Sequence, residues 1–307
     1  MRWWSGLRCS PSERPLPASE DRREYRDATS PSRASKDRRH NFRVRVGAPS
    51  HLDGLGWAVP WWGIQNGGPA MTTSSEITPE TTERVKVVVV SDFVCPWCYV
   101  GLTELEKLQR DYPVDISWAP FLLDPSVPPE GRQQTARTQP GDPLSPVEQR
   151  AETAGLNFQR GRTFRPNSHL ALEAATFAQE SDASHEAQEA FHKALYSAHF
   201  ETLENIGEID TLVRLGIEVG LDGVALREAL EQRTFRDQVD EEIGMVQELG
   251  VSAVPTFIFN NEYAIVGAET YPAFQRMMEH FGFPPPEGSE IPPETFRLTF
   301  DDGKTGE

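Results

Sequence analysis

The apolar residues of this chain change their spacing twice, and any fold it adopts must accommodate both changes. Val85 to Val90, in the run VKVVVV, is β-branched and reads as a short buried strand, broken by Asp92 to Pro96. From Pro96 onward Tyr99, Leu102, Leu105 and Leu108 recur at helical spacing, with Glu104, Glu106 and Lys107 on the other faces. DISWAPFLL, Asp115 to Leu123, alternates like a second strand, with Ile116, Trp118 and Pro120 on its two faces. A Pro- and Gly-rich excursion without periodicity follows, from Asp124 to Pro146.

From Pro146 to about Gly250 the pattern is helical. Ala171, Ala174, Ala175 and Ala178 lie among good helix formers, and Phe191, Leu195 and Ala198 follow at three- and four-residue steps. Ile209, Leu212, Val213 and Ile217 form another face, ending near Gly220. Asp222 is placed to cap a short helix containing Leu226 and Leu230, and the stripe Val239, Ile243, Val246 stops at Gly250. The spacing then returns to that of strands. PTFIFN (Pro255 to Asn260) and YAIVG (Tyr263 to Gly267) flank a tight turn at Asn260, Asn261 and Glu262, and TYPAFQRMMEHFG (Thr270 to Gly282) is a closing helix. Strand, helix, strand, a helical block of about a hundred residues, then strand, strand and helix specify an α/β sheet domain split by an all-helical insertion.

Charge marks a boundary upstream. The net charge is -17, yet residues 1–70 carry twelve Arg and Lys against seven Asp and Glu, which leaves -22 on the rest. Residues 5–50 are rich in Arg, Ser and Pro and lack apolar periodicity. The start has no apolar stretch of the kind a secretory signal needs, and Glu13, Glu20, Asp21, Glu24 and Asp27 do not suit a mitochondrial transit peptide. Residues 1–80 are therefore expected to be a disordered or mis-set extension, with Met71 as an alternative start. The expected parts are 81–125 and 236–283 for the sheet domain, 126–235 for the helical insertion, and 284–307 for a loose acidic tail. The acidic balance argues against nucleic acid as a partner. No run approaches the ~18 apolar residues of a membrane span. A cytoplasmic location is expected.

Cys95 and Cys98 sit three positions apart where the first strand gives way to the first helix. This spacing has three uses. Half a zinc site needs two further ligands, but the remaining cysteine, Cys9, lies in the extension, and His192 and His199 are not at the usual close spacing. A purely structural disulfide is unusual for a chain kept in a reducing compartment. The third use is a redox dithiol. Pro96 suits the first helical position, which puts Cys95 at the helix N-terminus, where unpaired N–H groups and the helix dipole favour thiolate over thiol. Cys95 is then the attacking sulfur and Cys98, one turn on, the resolving one. No metal and no organic cofactor is called for.

SDFVCPWCYVG (Ser91 to Gly101), RPNSHLALEA (Arg165 to Ala174), GVSAVPTFIFN (Gly250 to Asn260) and IVGAE (Ile265 to Glu269) together resemble the DsbA-like branch of the thioredoxin superfamily, and within it the FrnE-like cytoplasmic members. The resemblance spans about residues 84–282. It implies a thioredoxin-like α/β fold interrupted by an all-helical insertion domain, with Cys95 and Cys98 as the active-site pair. It implies that Pro96 and Trp97 tune the redox potential. It also implies that Val254 and Pro255 form a cis-proline loop presenting the Val254 backbone to an extended substrate segment. On its own, Pro255 reads as an ordinary trans proline at a strand start.

Trp97 reads either as an exposed substrate platform or as a packed aromatic. His169 reads as a surface or core-edge residue, Phe93 and Tyr99 as packing beneath the site, and Thr256 as a bonding partner near the sulfurs or simply a strand residue. The expected activity is thiol–disulfide exchange with protein or small-molecule disulfides or dithiols, away from nucleic acid and membranes; a homodimer is left open. The same branch includes 2-hydroxychromene-2-carboxylate isomerases and kappa-class glutathione transferases, which typically carry Ser where Cys95 stands. A non-catalytic chaperone that uses the helical domain is the third alternative.

Overall fold

The computed structural model describes residues 84–289; the expectations for residues 1–80 and for most of the acidic tail lie outside them. β1 (Val85–Ser91) is the inner strand of a mixed sheet ordered β2-β1-β5-β6. It runs parallel to β2 (Val114–Pro120), with Val87 opposite Ile116 and Val89 opposite Trp118. α1 (Pro96–Asp111) makes the crossover between them. β5 (Thr256–Phe259) is antiparallel to β1, and β6 (Tyr263–Val266) is antiparallel to β5. α8 (Tyr271–His280) closes the domain.

Strand alternation assigns the two faces of the sheet. Val85, Val87, Val89, Phe257 and Phe259 join Leu105, Leu108, Phe274 and Met277 in one core. Val90 and Ile258 point the other way and meet Val246 and Val251. Val246 belongs to α7 (Arg236–Glu248), so α7 covers the second face. The β5–β6 turn uses Asn260 and Asn261 in the left-handed region, at φ 47° and 59°, which Asn tolerates better than most residues.

Between β2 and α7 lie α2 (Pro146–Thr153), α3 (His169–Glu180), α4 (His185–Phe200), α5 (Ile209–Glu218) and α6 (Gly223–Glu231). Asp222 caps α6 by accepting hydrogen bonds from the backbone N–H of Val224 and Ala225. Tyr196 of α4 stacks on Tyr99 of α1 at 5.3 Å, so the insertion shares its core with the sheet domain.

Four details differ from the sequence reading. Ile116, Trp118 and Pro120 share one buried face of β2, since residues two apart on a strand point the same way. The excursion after Asp124 contains a strand, β3 (Arg132–Gln133), paired with β4 (Phe164–Arg165). Glu104 is buried, held by Lys107 at 2.8 Å and by Arg150 of α2 at 3.2 Å. Ile217 is 58 % exposed, because the buried face of α5 runs through Leu212, Leu215 and Gly216 and leaves the next residue outside.

Candidate active site

Cys95 is the N-cap of α1 and Pro96 its first residue, so the helix begins at the first cysteine. The cap has extended geometry, φ -89° and ψ 113°. Its carbonyl accepts from the N–H of Cys98 at 3.1 Å and its own N–H donates to the Asp92 carbonyl at 3.0 Å. A helix that starts at Pro96 thus fixes both the direction of the Cys95 side chain and the one-turn offset of Cys98.

The loop before β5 arrives on the same side. The Val254–Pro255 peptide bond is cis, and the Cys95 thiol donates to the Val254 carbonyl at 3.6 Å. The Pro255 carbonyl accepts from the Gly267 N–H at 2.7 Å, and the buried Thr256 hydroxyl donates to the Ala253 carbonyl at 2.7 Å. Thr256 therefore spends its hydroxyl proton on fastening the loop rather than on a sulfur. Gly101 makes this approach feasible: a Cβ there would lie 3.0 Å from the Phe257 ring and 3.1 Å from Pro255 Cγ.

Both cysteines are free thiols with little exposure, Cys95 at 4 % and Cys98 at 3 %. Their acidities diverge. A hydrogen bond from the Cys98 thiol, aided by the backbone N–H groups of Cys98 and Trp97, pulls the Cys95 thiol below the ordinary range against the cost of burial. Burial above all, then that same hydrogen bond, pushes Cys98 well above it. Pro96 is half-buried at the helix start, and Trp97 is 37 % exposed at the surface beside the pair. Cys95, Cys98, Val254 and Pro255 thus come together from two distant stretches of chain, with Pro96 and Trp97 at the rim.

Sequence reasoning missed Asp92. Its carboxyl is fully buried, and burial raises its pKa to about 6. It still accepts from the backbone N–H of Leu123 at 2.7 Å, from the Ser168 side chain, and from the backbone N–H of Val94 at 3.2 Å, with the charge of Arg165 adding the weakest support. Its charge opposes ionisation of both cysteines. Its position three residues before Cys95 is visible in the sequence; its enclosure by Leu123 and Ser168 is not.

Phe93 and Tyr99 are buried under the site, as their spacing suggests, and both contact Tyr196. His192 is buried and stacked on Trp118 at 4.1 Å; neither ring nitrogen has a partner, and burial lowers its pKa to about 3. His169 joins an ion-pair cluster, bonding Glu173 at 2.7 Å and Asp240 at 2.9 Å. Among the described residues no three of His, Cys, Asp or Glu gather to hold a metal ion, and no helix is long and apolar enough to cross a membrane.

Known proteins resemble this chain in sequence or in fold. The chain is 33 % identical over 195 residues to the uncharacterized protein YwbO of Bacillus subtilis, an alignment covering 62 % of this chain and 94 % of that one. Its fold is similar to a probable DsbA oxidoreductase from Streptomyces coelicolor, with TM-score 0.55, 22 % identity, and coverage of 71 % of this chain and 95 % of that chain. A cytosolic disulfide reductase, DsbM, from Pseudomonas aeruginosa aligns at TM-score 0.45 and 18 % identity, over 64 % of this chain and 99 % of that one. The family model of the DSBA-like thioredoxin domain matches residues 86–279, which contain both cysteines and the Val254–Pro255 loop, and this chain belongs to that family.

Proposed function

We propose that the chain is a thiol–disulfide oxidoreductase working through Cys95 and Cys98. The observation that carries this reading is the opposite displacement of the two acidities, with the more acidic sulfur at the helix tip and 3.6 Å from the Val254 carbonyl. A thiolate attacks disulfides and a thiol does not, so Cys95 is the entry sulfur.

In the reducing direction the Cys95 thiolate attacks one sulfur of a client disulfide. A Cys95–client disulfide forms, the client S–S bond breaks, and the departing client sulfur leaves as a thiolate. Cys98 then loses its proton and attacks the Cys95 sulfur. The Cys95–Cys98 disulfide forms and the second client sulfur leaves, so two electrons have passed from dithiol to client. The reverse sequence oxidises a client dithiol. Burial makes Cys98 a reluctant acid, and Asp92, fully buried beside the pair with a pKa of about 6, is the group suited to take its proton. An extended client segment pairs with the backbone at Val254, and Trp97 offers an apolar rim. The clients are protein or small-molecule disulfides in the cytoplasm.

Reduction of insulin by the chain in the presence of a dithiol donor tests the reading. Cys95→Ser is expected to abolish turnover. Cys98→Ser is expected to accumulate a mixed disulfide to Cys95. Full turnover by Cys95→Ser would refute the proposal.

A further inference from the structure

Arg162 is half-buried, yet no carboxylate among the described residues reaches it. Other arginines of the fold are treated differently. Arg132 and Arg165 share Asp124, Arg150 meets Glu104, Arg160 meets Glu148, and Arg233 meets Glu173. Among the described residues, in a chain of net charge -17, a half-buried guanidinium facing no carboxylate is unusual. Its contacts are neutral. It donates from one terminal nitrogen to His199 Nδ1 at 3.0 Å, from the other to the His199 carbonyl, and lies 5.6 Å from the centre of the Phe200 ring.

A guanidinium has five N–H donors in a planar fork. Two are used by His199, which leaves the rest without an acceptor among the described residues. His199 itself is buried at 4 % exposure, and the charges of Arg162 and Arg165, after burial, keep it neutral. The imidazole therefore orients the fork without cancelling its charge. Removing a cation from water is costly unless an anion accompanies it. Burial alone draws the Arg162 pKa down to about 10, with no acid opposing the shift.

We infer that Arg162, oriented by His199 and backed by Phe200, is the binding site for the carboxylate of a small monoanion. One uncompensated positive charge matches one negative charge, whereas a phosphate dianion would bring an excess. The planar carboxylate also matches the planar fork. The apolar Phe158–Phe200 pair, with centroids 4.8 Å apart, adjoins the guanidinium and favours a ligand with an uncharged body. This inference stands apart from the dithiol reading, since no step of disulfide exchange uses Arg162.

The test is a titration of the full-length chain with sodium acetate against sodium chloride at matched ionic strength, followed by the His199 ring resonances in NMR and by the thermal midpoint. A saturable His199 shift and a raised midpoint with acetate alone are expected. Arg162→Met should weaken acetate binding by about tenfold or more, and Arg162→Lys, which keeps the charge and loses the fork, should weaken it less. Should Arg162→Met fail to fold, the wild-type NMR titration decides by itself. Equal responses to chloride and acetate, undiminished acetate binding by a folded Arg162→Met, or tighter binding of inorganic phosphate than of acetate would each overturn the assignment.

Discussion

Cys95 and Cys98 stand three positions apart and their acidities shift in opposite directions, and the cause is local. Cys95 gathers a thiol and two backbone N–H groups, whereas Cys98 faces burial. Asp92 works against the Cys95 thiolate, because its charge raises the cost of a second anion. Asp92→Asn is therefore expected to lower the Cys95 midpoint further, read from the ultraviolet absorbance of the thiolate against pH. An unchanged or higher midpoint would contradict that coupling. The same variant should slow release of the mixed disulfide, read by quenched-flow with a trapped client. Asp92 also makes stability depend on pH. Its folded pKa, about 6, exceeds the ~3.9 of an unfolded Asp, so the folded state binds the proton more tightly. The penalty is complete above pH 6 and fades as pH falls toward ~4, a gain of about 3 kcal/mol from this group alone. Denaturant melts of wild type and Asp92→Asn between those limits should differ in slope. None of this could be read from the sequence, where an Asp after a strand looks like an ordinary loop residue. Its burial depends on Leu123, thirty-one residues away, folding over it.

The elements were more legible, and the reason is periodicity. α1, α6 and α7 each carry a buried stripe at three- and four-residue steps that needs no long-range knowledge, and β5 and β6 are bounded by a turn with Asn in the left-handed region. β3 and β4 escaped because a two-residue ladder has no period to detect. The contact between α1 and the Val254–Pro255 loop was legible only through the family resemblance. Gly101 carries that contact. A larger side chain there, as in Gly101→Leu, must displace Phe257 or Pro255 and is expected to cost about 1–3 kcal/mol, with weaker Cys95 reactivity as the loop moves away. Chemical denaturation and alkylation of the same variant measure both. His169 ties α3 to α7 through Asp240 and bonds Glu173 of its own helix, with Arg233 of the α6–α7 connection bonded to Glu173 as well. The two carboxylates raise the His169 pKa, so its contribution is complete below ~6.5 and is lost as pH rises through the folded value. His169→Leu should remove that dependence, seen as a flatter profile of thermal midpoint against pH.

Across the molecule, the sheet domain supplies the dithiol and its facing loop, and the insertion supplies the aromatic bed of Tyr196 and His192 beneath them. The shared core makes one cooperative melt the expectation for residues 84–289. The family match begins at residue 86, so a chain started at Met71 is expected to keep both the melt and insulin reduction; loss of either would assign the preceding residues a role. The proposed chemistry turns on selective ionisation of one sulfur of the pair. Alkylation of the reduced full-length chain with iodoacetamide across pH, with each cysteine quantified by peptide mass spectrometry, measures it most directly. Cys95 is expected to react first, with a midpoint below the ~8.5 of an ordinary thiol, while Cys98 stays protected. Modification of Cys98 ahead of Cys95, or a Cys95 midpoint at or above that ordinary value, would contradict it.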